Sequence, residues 1–151
     1  MPTFQAQDPD FRSRVRESFA RQRLMHTLGA VLTLVEPGAV EIELPYRADL
    51  TQQHGFLHAG VVASVLDSAC GYAAFSLMPA DAAVLSIEFK VNLLAPARGE
   101  RLVARAEVKR AGRTMTVCTA DAHAVDGERG KVVATMLATM MCVRGREDLA
   151  G

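Results

Sequence analysis

Apolar and polar positions change their period twice along the chain, and each change predicts a new element. Phe11, Val15 and Phe19 recur four apart behind Asp8-Pro9-Asp10. That spacing predicts an amphipathic helix over about 9–28, with Asp8 capping its orphan N–H groups, Pro9 in the first position and Gly29 closing it. Its remaining positions carry Arg12, Arg14, Arg16, Arg21 and Arg23, read as the solvated side rather than as a phosphate site. Val31 to Val35 and Ala39 to Leu44 are β-type runs flanking Glu36-Pro37-Gly38, a hairpin. From near Leu57 to Leu77 the pattern becomes a strongly apolar helix, because Val61, Val62, Val65, Leu66, Ala69, Ala73 and Leu77 fall at three-to-four spacing with almost no charge between them. Such a helix is buried on most sides. Four further runs follow, Val84 to Leu94, Arg101 to Arg110, Thr114 to Val125 and Lys131 to Val143. The short breaks between them predict sequential antiparallel pairing, a four-stranded meander. The whole reads as an α+β domain over residues 1–151. An antiparallel sheet wraps a long central helix in a core over about 30–144, and an extra helix precedes it.

Composition narrows the functional classes. Half of the 151 residues are apolar, enough for one packed core. The 17 basic side chains balance 17 acidic ones, so no net positive field exists to draw in nucleic acid. Cys70, Cys118 and Cys142 are too scattered for a disulfide framework or a metal site, which predicts free thiols in a reducing compartment. His54 and His58 stand four apart but lack an evident third ligand, so no metal is expected. Met1 to Arg23 has no signal-type apolar stretch, and no window reaches the roughly 20 apolar residues of a membrane span. A cytoplasmic chain without a membrane or nucleic-acid partner is the expectation.

One residue breaks the pattern. Asp67 sits two turns into the apolar helix, and a carboxylate away from water costs several kcal/mol unless it is paired or used. No Lys or Arg lies between Arg47 and Lys90 to pair with it locally. Gly60, Ala63, Ser64, Cys70, Gly71 and Ala74 are its neighbours at helical spacing, and their small size predicts either a groove or close packing. Upstream, Thr51 to Gly60 is a polar loop that turns into the helix, whose N-terminus offers unpaired N–H groups and a positive dipole end to a carbonyl oxygen. Asp67 lies roughly 12 Å along the helix from Ala59, too far for one carbonyl to touch both within a chain. If both act, they come from different subunits of a two-fold dimer.

The order Gln52-x-x-Gly55-x-x-His58-Ala59-Gly60, then seven residues to Asp67, resembles the signature of the PaaI-type branch of hotdog-fold thioesterases. The resemblance runs from Gln52 to about Val143 and includes Leu85-Ser86-Ile87-Glu88-Phe89. It implies a hotdog domain that hydrolyses acyl-CoA thioesters, as homodimers that often pair into homotetramers, with no cofactor beyond the coenzyme A carried by the substrate. Carried over by position, Asp67 is the nucleophile or the base that activates water, and the Ala59 N–H polarises the thioester carbonyl. His58 shapes the turn, Gln52 holds water or the leaving group, Ser86 orients water, and Gly60 and Ser64 line the substrate groove. Gln52 stands where Asn is usual, and Ala59 replaces a Gly. For the phosphates of coenzyme A, Arg110 and Arg113 on one turn are the candidates, with Lys109 beside them and Lys90 and Arg98 on another. Two other readings compete: a hotdog enoyl-CoA hydratase or dehydratase using His54 or His58, and a non-catalytic acyl-CoA-binding module.

Overall fold

The computed structural model describes residues 3–149 and Gly151. The N-terminal helical segment is two helices, α1 (Phe11–Arg21) and α2 (Arg23–Leu28), where the sequence pattern predicts one. Gln22 is extended between them, with φ −77° and ψ 104°. Asp8 does not cap the helix as expected: its Oδ1 accepts from the Asp10 N–H at 2.9 Å and its Oδ2 pairs with Arg14 at 2.9 Å. The helix accordingly starts at Phe11, past Pro9. Gly29 does close the segment, in the left-handed conformation with φ +79°, and its N–H returns to the His26 carbonyl.

Arg14 also departs from its expected solvated place. Its guanidinium lies 4.4 Å from the Phe75 ring centroid and donates to the carbonyls of Phe75 and Met78 at 2.8 and 2.9 Å. It thereby supplies the Met78 carbonyl with a donor and adds a second one to the Phe75 carbonyl, which also accepts from the Met78 N–H at 3.1 Å. Burial pulls its proton affinity down, and the opposing charge of Asp8 raises it again.

The hairpin of β1 (Val31–Glu36) and β2 (Ala39–Pro45) is followed by a short turn at Ala48–Leu50, the loop to His58, and the central helix α3 (Ala59–Phe75). At the hairpin tip Gly38 takes φ +79° and gives its N–H to Ser76 Oγ at 2.8 Å, which fastens the hairpin to the end of α3. The later strands are β3 (Ala83–Leu93), β4 (Arg101–Ala111), β5 (Met115–Asp126) and β6 (Arg129–Val143), each within two residues of its predicted bounds at either end.

Their pairing is not the expected four-strand meander. The six-stranded antiparallel sheet runs β1-β2-β4-β5-β6-β3, so β4, β5 and β6 are sequential while β3 lies on the far edge against β6. The reason is occupancy: β4 pairs with β2 along Pro45 to Ala39 and with β5 on its other side, so β3 has no side of β4 to pair with and lies against β6 instead. Residues 94–100 have to cross about 14 Å of sheet to reach β4, three strand spacings that an extended segment of this length spans and a tight turn does not. This connection is tied down by Leu94 N–H to Val133 O at 2.8 Å and by Leu57 N–H to Ala97 O at 3.0 Å.

The sheet wraps α3, which it contacts through β2, β3, β4, β5 and β6. Val62, Val65, Leu66, Ala69, Cys70 and Ala73 are essentially inaccessible. The facing side chains on the sheet are largely alanines, with Ala104, Ala106, Ala120, Ala122, Ala134 and Ala138 all buried, so the helix seats close to the strands. The sheet wraps the central helix as the sequence pattern predicts, and the architecture is that of the hotdog fold that the resemblance implies. Among the described residues no helix is long and apolar enough to cross a bilayer.

The Arg14 link gives a stability test. Arg14→Ala leaves a nearly buried Asp8 carboxylate without its counter-charge, strips the Met78 carbonyl of its guanidinium donor and leaves the Phe75 carbonyl with the Met78 N–H alone. Urea unfolding should show a loss of about 3 kcal/mol.

Candidate active site

The loop before α3 builds itself around Gln52. Its Oε1 accepts from the N–H groups of His54 and Phe56, at 2.5 and 3.3 Å, and its backbone N–H reaches Phe56 O at 2.9 Å. Gly55 turns this loop with φ +82°. His58 then enters extended, with ψ 139°, and caps α3: Nδ1 accepts from the Gly60 N–H at 2.8 Å. A nitrogen that accepts carries no proton, so the neutral ring is protonated at Nε2. The Val61 and Val62 N–H groups both go to His58 O, at 2.9 and 3.1 Å. Of the four N–H groups that a helix start leaves open, only that of Ala59 has no hydrogen-bond partner among the described residues. A Cβ on Gly60 would approach His58 Nδ1 to 3.1 Å, so the small residue keeps the cap in place.

Asp67 lies two turns further on, half-buried, and among the described residues no Lys or Arg lines the cleft it borders. Ser86 Oγ donates to its Oδ1 at 2.7 Å. Ser86 can reach because β3 bulges between Ser86 and Glu88, where the register against β6 shifts. The second carboxylate oxygen has no hydrogen-bond partner among the described residues and borders a cleft of 350 Å³ shared with Ser64, Ser68, Gly71 and Ser86. Ser64 spends its hydrogen on Gly60 O at 2.7 Å and keeps its lone pairs toward the cleft. A Cβ on Gly71 would meet nothing within 4 Å, so the small-residue stripe opens a groove.

Ala59 belongs to a different space. It lines a 510 Å³ channel with Gln52, Phe56, Leu93, Leu94 and Pro96. Phe56 and Pro96 also border an adjoining 280 Å³ hollow that holds Arg98 and Lys131, with the Arg98 guanidinium 5.0 Å from the Phe56 ring centroid. Within one chain, then, Asp67, Ser64 and Ser86 meet in one cavity, Gln52 and Ala59 meet in another, and His58 and Gly60 sit exposed at the helix start. Arg110 and Arg113 join neither. Arg113 borders a hollow with Met78, Pro79 and Cys142, beyond the opposite end of α3.

A family model described as the thioesterase superfamily matches residues 54–131, the stretch carrying the loop from His54 onward, Asp67 and Ser86. The chain belongs to that superfamily. A thioesterase family protein of Silicibacter pomeroyi has the same fold at 58% identity, with a TM-score of 0.88 over 89% of this chain and 99% of that one. A Deinococcus radiodurans protein provisionally designated an esterase is 32% identical over 75% of this chain and 74% of its own length. A similar Halobacterium salinarum protein, also provisionally an esterase, is 35% identical over 62% of this chain and 65% of its own length. The fold of a phenylacetic acid degradation-related protein of Ralstonia eutropha is alike as well, at 23% identity and a TM-score of 0.75 over 87% of this chain and 98% of that one. Thioester hydrolysis is the chemistry that family and relatives support.

In this thioesterase-superfamily chain the Asp67 cleft has a wall that the sequence analysis missed. Ser18, Gln22 and Leu24 of the N-terminal segment line it, together with Tyr72. A signal was present: Val15, Ser18, Phe19 and Gln22 recur at three-to-four spacing and so share the face that packs on α3. The thiols, by contrast, stand apart from the chemistry. Cys70 and Cys118 are fully buried, with Cys118 Sγ 3.5 Å from Cys70 O. Burial pushes the Cys118 thiol up to about 12 and the Cys70 thiol in the same direction, so neither yields a thiolate near neutral pH. Iodoacetamide should therefore alkylate the partly exposed Cys142 alone in the native protein, with Cys70 and Cys118 modified only after unfolding, as read by mass spectrometry.

Proposed function

We propose that the chain hydrolyses acyl-CoA thioesters at a site completed by two subunits, with Asp67 from one and the Ala59 N–H from the other. The observation that carries this is the course of β3, a sheet edge of eleven residues. Leu85, Ile87, Phe89 and Leu93 along it are each 44–55% exposed, and an edge this long and apolar is one that a second chain covers. Its first half, Val84 to Ser86, borders the Asp67 cleft, and its end, Leu93 with Leu94, borders the Ala59 channel. Antiparallel pairing of two β3 edges about a centre near Phe89 lays each cleft against the other subunit's channel. That is the arrangement that the spacing of Ala59 and Asp67 along one helix demands.

In this site the thioester carbonyl points at the Ala59 N–H and the positive end of α3, which hold the negative charge that develops on oxygen. Asp67 either attacks the carbonyl carbon or removes a proton from the water that does. Ser86 fixes the rotation of the carboxylate in both cases. The carbon–sulfur bond breaks and coenzyme A leaves as a thiolate, a stable leaving group that needs little acid catalysis. Gln52 acts on the loop, since its carbonyl oxygen is committed to the His54 and Phe56 N–H groups. Arg98 and Lys131, at the outer end of the channel, are placed better for the phosphates than Arg110 and Arg113. A larger assembly, a pair of such dimers, is compatible with this site and adds nothing to it.

Two variants test the two halves. Asp67→Asn keeps the shape and can still accept from Ser86, so the protein should sediment as wild type while thiol release from acyl-CoA falls by at least about a thousandfold. Retained turnover would remove Asp67 from the mechanism. Ala59→Pro deletes only the N–H, because proline suits the first helical position and His58 already has the extended conformation that precedes it. Its kcat should drop by about a hundredfold to a thousandfold with little change in KM. A kcat within a few-fold of wild type would show that the carbonyl is held elsewhere.

A further inference from the structure

Four polar side chains at the inner end of the Asp67 cleft form a hydrogen-bonded relay that the hydrolytic chemistry does not use. Ser68 Oγ donates to Gln22 Oε1 at 2.8 Å, Gln22 Nε2 donates to the Tyr72 hydroxyl at 3.2 Å, and that hydroxyl lies 3.2 Å from Ser18 Oγ. Ser68 and Tyr72 are nearly buried, and all four residues border the cleft. The Tyr72 ring is fixed edge-on against Phe19 and Phe75, with centroids 5.8 and 6.2 Å away.

Counting hydrogens along the relay shows what it has left to give. The Ser68 hydrogen goes to Gln22 and one Gln22 amide hydrogen goes to Tyr72, while the contact between Tyr72 and Ser18 uses the hydrogen of one of the two hydroxyls, either of which can donate. The hydrogen of the other hydroxyl and the second Gln22 amide hydrogen have no partner among the described residues. The end of the cleft therefore offers donors, and a ligand there has to present an acceptor.

Charge decides which arm of a thioester arrives. Among the described residues no Lys or Arg borders the Asp67 cleft, whereas Arg98 and Lys131 border the hollow that adjoins the Ala59 channel. The phosphate-bearing arm goes to the cations, leaving the acyl arm for this cleft. An anionic acyl end would meet Asp67 with no cation to offset it, so the acceptor is neutral. Tyr72 lies five residues past Asp67, about 7.5 Å along the helix axis, which matches an acyl chain of about six carbons.

We propose that Ser18, Gln22, Ser68 and Tyr72 recognise the far end of the acyl group and select short chains bearing a neutral oxygen acceptor, a ketone or an ether, over plain alkyl chains of equal length. This rests on the acyl-CoA reading given above. Gln22 owes its place to the break between α1 and α2, where the extended backbone turns the amide toward α3.

The test compares hexanoyl-CoA with 5-oxohexanoyl-CoA by free-thiol release. In the wild type kcat/KM should favour the oxo substrate by about tenfold, the worth of one to two neutral hydrogen bonds. Ser18→Ala leaves the contacts of Gln22 with Ser68 and Tyr72 in place, and it should lose far more on the oxo substrate, bringing the ratio toward one. Gln22→Met should do the same. A wild-type ratio at or below one overturns the proposal. So does an unchanged ratio in Ser18→Ala, or an equal loss on both substrates in both variants with a lowered Tm, which is the signature of a relay that only glues the helices. If the wild type releases thiol from neither substrate nor from any other acyl-CoA, the acyl-CoA reading itself fails and takes this one with it.

Discussion

A helix enclosed by a sheet can keep an ionised side chain only on the stripe that the sheet leaves open. In α3 that stripe is narrow. Val62, Val65, Leu66, Ala69 and Ala73 are sealed against the strands, and past the first turn the half-exposed positions are Ala63, Ser64, Asp67 and Gly71. Moving the carboxylate by one position in either direction would bury it at Leu66 or Ser68. Desolvation would then cost several kcal/mol with no cation at hand. The enclosure that makes α3 the centre of the core thus also fixes where its one acid can stand, and the small neighbours keep water and substrate within reach of it.

The same enclosure explains how the N-terminal segment enters the site. The sheet curls around α3 from one side, and α1 and α2 cover part of the other. Arg14 anchors this cover by bonding the carbonyls at the end of α3, and Asp8 neutralises it there. One turn later Ser18 reaches the cleft, and Gln22, freed from helical geometry at the break, crosses to Ser68. Anchor and cleft wall therefore lie on one short segment. The superfamily match begins at residue 54, after this segment, so the cover lies outside the stretch that defines the family match.

The sequence showed what local rules govern and hid what depends on pairing partners. The apolar period of residues 59–75, the β runs and the oddity of Asp67 follow from burial and side-chain spacing, and each stands where it was expected. Strand order is a different matter, because short breaks suggested neighbours while the open sides of β4 were already taken by β2 and β5. Gln22 lacks any breaker signal such as glycine or proline, so the interruption of the first helix could not be seen locally; tertiary contacts to Ser68 and Tyr72 hold it. Arg14 looked like its exposed neighbours Arg12 and Arg16, since one helical face of arginines does not reveal which of them meets the end of another helix. Arg110 and Arg113 were read from their charge beside a turn, and neither feature reveals which hollow a side chain borders: Arg113 lies beside one beyond the far end of α3.

Helix geometry sets the final constraint on mechanism. A rigid α3 holds the Ala59 N–H and Asp67 about 12 Å apart, and no side-chain rotation brings an N–H of the backbone closer. Rigidity that keeps the two groups apart in one chain is also what pre-organises each of them, the N–H by the His58 cap and the carboxylate by Ser86. In the proposed dimer a two-fold axis beside β3 would convert this fixed separation into a fixed proximity, with each group already oriented before substrate arrives. Such a site would need no moving loop to assemble it. Its geometry would instead be tied to association of the subunits, so on this proposal anything that loosens the β3 edge would remove both sites together.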